Sequence, residues 1–497
     1  MTRRMLLLLA ACGVAFNLNA SVAPAEPRTL LVEVRDIPAD EQTGEGSFVA
    51  SDYNRERVVS LIRNHALLLA TPAELDELAA AGFAPKVIME NKDQLVLYRR
   101  ALYGPTLKLD PYYHSYAQII ARADELMRAH PRLMQRFQIG ETTQFRQPIY
   151  AYRISNAATM AQDRPAVLLN GAHHSDELIG TETVVRMMEK LIAGYGSDPV
   201  VTRWMDQLEI WLVPVVNVDG HNVVTSGHDP RWRKNLRDVN GDGITGVYPE
   251  GVDVNRGYNF NWALGGSDQP DAYSYRGPHP FAEAENRAMR QLADLQQFLL
   301  SISYHSQGEV IFYPWTWGGR PTPDDAVITR IVRNVAAQIG KMDGSGTYDM
   351  SPGGPSSQSY PWFYGRRGTI DMIVETGKGS HIFSAEDAAG IVQENLKGAA
   401  ALFDHAFGPG LNVRVTDATT GAPLVAEVWL PRIDNETVDR RHSNAEFGRA
   451  YRLLEPGTYY VVISRPGYET VVLPEQSVAA EGWTELEVAM KPVAGGE

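Results

Sequence analysis

Cysteine is almost missing from this chain: Cys12 is the only one in 497 residues. No disulfide can close within one molecule, and any zinc site built on paired thiolates is excluded. Basic charge is also short, with 46 Lys and Arg against 60 Asp and Glu and a formal net charge of −14. That balance lacks the positive footprint of a nucleic-acid-binding surface or of a face meant for anionic lipid. Beyond Phe16 no apolar run approaches the roughly 20 residues that a bilayer-spanning helix needs. Internal repeats and low-complexity tracts are absent too. A long acidic chain remains, with apolar content sufficient for about three domains.

The first residues have an address. Arg3 and Arg4 precede an apolar stretch from Met5 to Phe16, and Ala23-Pro24-Ala25 has the small-x-small form of a leader cleavage site. Residues 1–25 therefore read as an export signal, placing the protein in the periplasm or outside the cell. Leu9-Ala10-Ala11-Cys12 also resembles a bacterial lipobox, so lipid anchoring through Cys12 is the alternative.

Residues 26–104 read as a small α/β unit. Leu30–Val34, Val87–Met89 and Leu95–Leu97 have strand character, and Thr71-Pro72-Ala73-Glu74 is a capping box with Pro at the first helical position. Gly104-Pro105 opens a linker. A long α/β region follows over 105–408. Its buried-strand candidates are Ala166–Leu169, Leu208–Val218, Leu299–Tyr304 and Ile370–Glu375; helical patterns cover Leu178–Ala193, Ala282–Leu299, Ala326–Ile339 and Glu386–Phe407. Strands alternating with helices predict a mixed, mostly parallel central sheet covered on both faces. From 409 to 497 the pattern changes to short alternating strands, Leu411–Val415, Val425–Leu430 and Tyr459–Ser464, divided by Gly, Pro and Asp turns. That is the signature of a small all-β sandwich.

Chemistry concentrates at Asn170-Gly171-Ala172-His173-His174-Ser175-Asp176-Glu177, between a buried-strand pattern and a helix. An imidazole and a carboxylate three residues apart can face one zinc ion, whose tetrahedral shell takes N and O ligands and, in catalytic sites, leaves one position open. On geometry alone either His173 or His174 could reach. His305, ending the apolar strand pattern in Ser303-Tyr304-His305, is the best third ligand. Glu375 closes another apolar run, where partial withdrawal from water raises a carboxyl pKa towards the working range of a general base. Between them lie Arg231-Trp232-Arg233-Lys234-Asn235 and Gly251-Val252-Asp253-Val254-Asn255-Arg256.

In order and spacing these motifs resemble the zinc carboxypeptidase family typified by carboxypeptidase A, itself a His/His/Glu zinc enzyme. The resemblance spans roughly residues 111–407 and rests on His-x-x-Glu, Trp-Arg-Lys, Val-Asp-x-Asn-Arg, a strand-end His followed by Tyr313-Pro314, and Glu375-Thr376-Gly377. Residues 26–104 resemble the family's N-terminal domains. The run Arg449–Tyr459 resembles the transthyretin-like domain of regulatory carboxypeptidases.

The resemblance implies a hydrolase of peptide C-termini with one zinc held by His174, Glu177 and His305, the family spacing choosing His174 over His173. It implies Glu375 as general base for a zinc-activated water and Arg233 at the developing oxyanion. Asn255 and Arg256 would bind the substrate's terminal carboxylate, and Tyr348 would close over the substrate. Asp176 departs from the Arg or Asn common in the family. Tyr360 falls near the base of the side-chain pocket and no acid is found there, so an apolar or aromatic C-terminal residue is favoured over Lys or Arg. Asp238-Val239-Asn240-Gly241-Asp242-Gly243 starts like a calcium loop, but its twelfth position is Pro249 rather than an acid. Two alternatives stand beside this reading: a family member acting on cell-wall peptides or another amide, and an inactive peptide-binding protein.

Overall fold

A computed structural model describes residues 30–34, 58–62, 65–80, 82–89, 109–241, 245–246, 249–317 and 319–493. The leader with Cys12, the strand expected at Leu95–Leu97, the Gly104-Pro105 linker and the middle of the calcium-like loop lie outside the described residues. At the N-terminal end, β1 (Leu30–Val34), β2 (Val58–Ile62), β3 (His65–Ala70) and β4 (Lys86–Met89) form an antiparallel sheet in the order β2-β3-β1-β4. Its helix α1 (Pro72–Ala80) starts at the expected proline.

The large sheet is built from β5 (Met134–Glu141), β6 (Pro148–Ile154), β7 (Ala166–Asn170), β8 (Glu209–Val213), β9 (Phe298–His305), β10 (Val310–Tyr313), β13 (Asp349–Pro352) and β14 (Ile370–Glu375). A short ribbon of β11 (Thr316–Trp317) and β12 (Arg320–Pro321) interrupts the series. The order is β13-β10-β14-β9-β7-β8-β6-β5. Its centre, β8-β7-β9-β14, is parallel throughout, whereas β5, β6 and β10 run antiparallel to a neighbour. Every residue of β7, β8 and β9 is buried, which is why these strands read as unbroken apolar runs instead of alternating ones.

The helices in chain order are α2 (Tyr116–Ala129), α3 (Leu178–Gly194), α4 (Pro199–Gln207), α5 (Val218–Thr225), α6 (Ala284–Leu295), α7 (Asp325–Ala337), α8 (Ser359–Trp362) and α9 (Ala385–His405). α3 lies directly on β9: a Cβ on Gly180 would fall 2.8 Å from that of Tyr304, so only glycine allows this approach. The Tyr304 hydroxyl donates to Asn395 of α9 on the same side. The opposite face of β9 carries Ser303 and His305, and α8 packs there on β14. The two faces thus divide labour between core and chemistry.

Two expected boundaries moved. The strand predicted over Leu208–Val218 ends at Val213, because Pro214 offers no N–H to a neighbouring strand. Asn217 then caps α5, its side chain accepting from Gly220 N–H at 3.1 Å. The helix predicted over Ala282–Leu299 ends at Leu295, and Phe298-Leu299 opens β9. A short apolar run reads equally as buried helix or strand, and here the sheet claims it.

The C-terminal strands are β15 (Gly410–Asp417), β16 (Glu427–Trp429), β17 (Arg441–His442), β18 (Arg449–Leu453), β19 (Gly457–Ser464), β20 (Val471–Val478) and β21 (Trp483–Met490). They make two sheets, β18-β15-β21 and β17-β16-β19-β20. These close on a separate core containing Leu411, Val413, Val415, Val428, Val461 and Ile463. Val438 and Leu453 belong instead to the larger core, so this β module is packed on the α/β body.

Candidate metal centre and active site

The parallel strands all end on one rim, where an α/β sheet presents its ligands. β7 stops at Asn170, and the next loop is pressed onto the first turn of α3. A Cβ on Gly171 would lie 2.8 Å from the Gly180 carbonyl carbon, and Ala172 takes a left-handed φ of 52°. The loop delivers Glu177 as the N-cap of α3, yet its side chain makes no capping bond. The carboxylate turns to two imidazoles instead. Its Oε1 lies 2.9 Å from His174 Nδ1 and its Oε2 lies 2.8 Å from His305 Nδ1. The two Nδ1 atoms are 3.0 Å apart. All three side chains are buried.

Two imidazole nitrogens and a carboxylate thus converge on one point away from water. Bonds of about 2 Å to a tetrahedral zinc put neighbouring ligand atoms roughly 3.3 Å apart, close to what is seen. The donor set therefore fits zinc, and His174, Glu177 and His305 are a group that could hold an ion. Burial pushes the Glu177 carboxyl up, but His174 and His305 hold it well below the carboxylate range. Burial lowers the His305 imidazole, which keeps it neutral and able to ligate. His173 points elsewhere: its Nε2 is 2.8 Å from the Tyr258 hydroxyl and its Nδ1 3.2 Å from Ser303 Oγ.

Asp253 and Arg233 stand behind this centre. Asp253 Oδ1 lies 3.1 Å from His174 Nε2, and Oδ2 accepts from Arg233 Nε and Nη2, both at 3.2 Å. Arg233 Nη1 donates to Glu177 Oε1 at 3.3 Å. The Tyr273 ring lies under the guanidinium, with Arg233 Cζ 4.7 Å from its centroid. Asn255 places its carboxamide nitrogen 3.2 Å from His305 Nε2, and its oxygen accepts from Ser359 N–H at 2.9 Å. Arg256 is the next residue, half-buried.

Glu375 is paired directly with His305 across the parallel strands, so both side chains leave the same face of the sheet. Burial first, and then the charge of Glu177, pushes its carboxyl up to about 8. Asp176 is buried with Oδ1 unpartnered. Tyr348 is placed otherwise than expected. It is a buried member of the main core, its hydroxyl accepting from Gly377 N–H at 3.0 Å and from Asn395 Nδ2 at 3.4 Å. In this placement Tyr348 braces the segment after Glu375, and closing over a substrate would require both bonds to be released.

Sequence reasoning overlooked three residues here. Asp253 was in plain view inside the Val-Asp-x-Asn-Arg motif, and its bond to His174 is the usual device for orienting a metal-bound imidazole. Tyr273 opens the run Tyr273–Phe281, where nothing in the sequence marks its ring as a partner of Arg233. Asp371 lies four residues before Glu375 on the same strand face, fully buried, with neither carboxylate oxygen partnered. Burial pushes it up to about 7.

Fold and site together define an α/β protein with a candidate zinc centre on its sheet rim. A family model described as zinc carboxypeptidase matches residues 119–395, more than half of the chain. This chain belongs to the zinc carboxypeptidase family. Carboxypeptidase A4 of Mus musculus is 29% identical over 272 residues, covering 52% of this chain and 60% of that protein. Carboxypeptidase A1 of Rattus norvegicus is 28% identical over 259 residues, covering 52% and 59%. The chain thus spans about 60% of the length of these curated relatives. Among solved structures, thrombin activatable fibrinolysis inhibitor aligns with a TM-score of 0.56 at 18% identity, over 76% of this chain and 99% of that one. Carboxypeptidase A from Helicoverpa armigera aligns with a TM-score of 0.54 at 19% identity, over 76% and 97%. Those two likenesses describe the fold.

Proposed function

We propose that this protein is an exported zinc metallocarboxypeptidase that hydrolyses the last peptide bond of peptides with a free C-terminus. The observation that carries the reading is the meeting of His174, Glu177 and His305 on a sheet rim that also holds Glu375 and Arg233. In this reading residues 1–25 are the leader, 26–104 an N-terminal domain, 105–408 the catalytic domain and 409–497 a β-sandwich domain.

His174, Glu177 and His305 would hold the ion. When bound, zinc lowers the pKa of water towards neutrality and polarises a carbonyl. Glu375 accepts a proton from the attacking water on its carboxylate and returns it to the departing amine; its raised pKa suits both halves of that task. Arg233 faces the carbonyl oxygen as negative charge gathers there. Asp253 and the Tyr273 ring fix its plane beforehand, so no reorganisation is needed during reaction. Arg256, with Asn255 beside it, takes the terminal carboxylate, for which a guanidinium fork is the complementary shape. That requirement makes the enzyme an exopeptidase.

The test compares an N-blocked dipeptide bearing a free carboxylate with its C-terminal amide. Only the first should be cleaved, and a chelator should stop the reaction until zinc is restored. Equal cleavage of both, or turnover that survives full metal removal, would overturn the assignment.

A further inference from the structure

The β module does more than sit beside the catalytic body; it reaches the wall of the site. Asp324 is buried at the start of α7 and makes no side-chain cap to its own helix. Its Oδ1 accepts from Arg452 Nη2 at 2.8 Å. Its Oδ2 accepts from Arg441 Nη2 and from the Tyr364 hydroxyl, both at 2.9 Å. The same hydroxyl accepts from Asp324 N–H at 3.2 Å. Arg441 and Arg452 belong to the β module, on β17 and β18; Asp324 and Tyr364 belong to the α/β body. Burial pushes the Asp324 carboxyl up, but the two guanidinium groups hold it below its usual range, so it is ionised with both oxygens partnered.

Tyr364 is on the turn that continues α8, and α8 begins at Ser359, whose N–H holds the Asn255 carboxamide. Two further ties grip this turn: Asp439 N–H donates to Gly365 O at 2.7 Å, and Arg366 Nη1 donates to Asp439 Oδ1 at 2.7 Å. Gly368 ends the turn in a left-handed conformation, φ 77°, where a Cβ would strike Arg441. The turn is therefore shaped to take the arginine. Only four residues lie between Ser359 and Tyr364, and they are wound helically, so a shift at one end is carried to the other.

We propose that the β module is a positioning element of the active site: by clamping Tyr364 through Asp324, Arg441 and Arg452, it sets where Ser359 holds Asn255 against the substrate's terminal carboxylate. This rests on the carboxypeptidase reading for its substrate but not for its contacts. Tyr364→Phe removes one hydroxyl and spares the packing; Arg441→Met removes one module contact and serves if the first effect is small. Each variant of the full chain should raise KM for the blocked dipeptide about fivefold, the scale of one lost hydrogen bond. Each should leave kcat within about twofold and zinc affinity unchanged, the split expected of a binding-wall defect. Amide exchange of residues 359–368 should quicken in both. A lower Tm with KM and exchange both unchanged would reduce the knot to scaffolding and overturn the proposal. If wild-type protein fails to cleave the dipeptide, the functional reading falls, while exchange at Ser359 still decides whether the module holds the wall.

Discussion

Asp253 grips two parts of the site at once: one carboxylate oxygen lies 3.1 Å from His174 Nε2 and the other accepts from Arg233. A carboxylate behind a ligating imidazole fixes its ring and raises its basicity. Asp253→Asn should weaken zinc binding by about 10- to 100-fold, the usual cost of such a partner. Competition with a chromophoric chelator measures this directly. Because Arg233 loses its anchor as well, activity at saturating zinc should stay below wild type; full recovery would assign Asp253 to the metal alone.

Glu375 must be ionised to accept a proton. Its carboxyl is pushed up to about 8 by burial and then by Glu177, and a cation held at His174, Glu177 and His305 pulls it back down. Activity should therefore rise with pH along an acid limb whose midpoint lies below 8 in the zinc-loaded enzyme. Glu375→Gln should lose at least about a hundredfold in kcat, abolish that limb and keep its metal. Metal content and a pH–rate profile together check it.

In the proposed reaction Arg233 is worth most where charge develops. Arg233→Met should cost on the order of 3 kcal/mol of transition-state stabilisation, seen in kcat rather than KM. Tyr273→Leu removes the ring beneath the guanidinium at 4.7 Å and should lower kcat more mildly. A KM effect alone would mean that Arg233 binds ground-state substrate instead.

Arg256→Ala should act on selection. KM for the free carboxylate should rise, and the preference over the corresponding amide should shrink towards unity. Retained discrimination would move carboxylate recognition to another residue.

Asp371 gives a pH signature in stability. Its folded carboxyl is raised by burial from 3.8 to about 7, so the folded state keeps a proton that the unfolded chain releases. That contribution is fully present below the unfolded pKa and is lost as pH rises through 7. The loss should amount to roughly 3 kcal/mol between about pH 5 and 8. Asp371→Asn should flatten this part of the stability profile, measured by denaturant unfolding at each pH. An unchanged slope would mean that Asp371 is ionised in the fold.

The family, the fold class and the His174–Glu177 pair were legible because each rests on short-range patterns. Ala166–Leu169 and Ile370–Glu375 are apolar runs bounded by polar residues, and His174 and Glu177 are three residues apart on one loop. For Tyr348 the motif marks the residue but not its burial in the main core, because a tyrosine's place in a motif says nothing about which way its ring turns. Leu208–Val218 misled because apolar character outlasts the strand once Pro214 removes a donor.

The order of residues alone determined which groups are available: two imidazoles and one carboxylate for an ion, an acid closing a strand, and a guanidinium pair with no competing thiol. Only tertiary structure decided who meets whom. His305 reaches Glu177 because β9 lies beside β7, 128 positions apart in the chain. Arg441 and Arg452 reach Asp324 because a second core docks on the first. Such pairings depend on sheet order and on which faces are buried, and those follow from the packing of the whole chain, not from any local spacing.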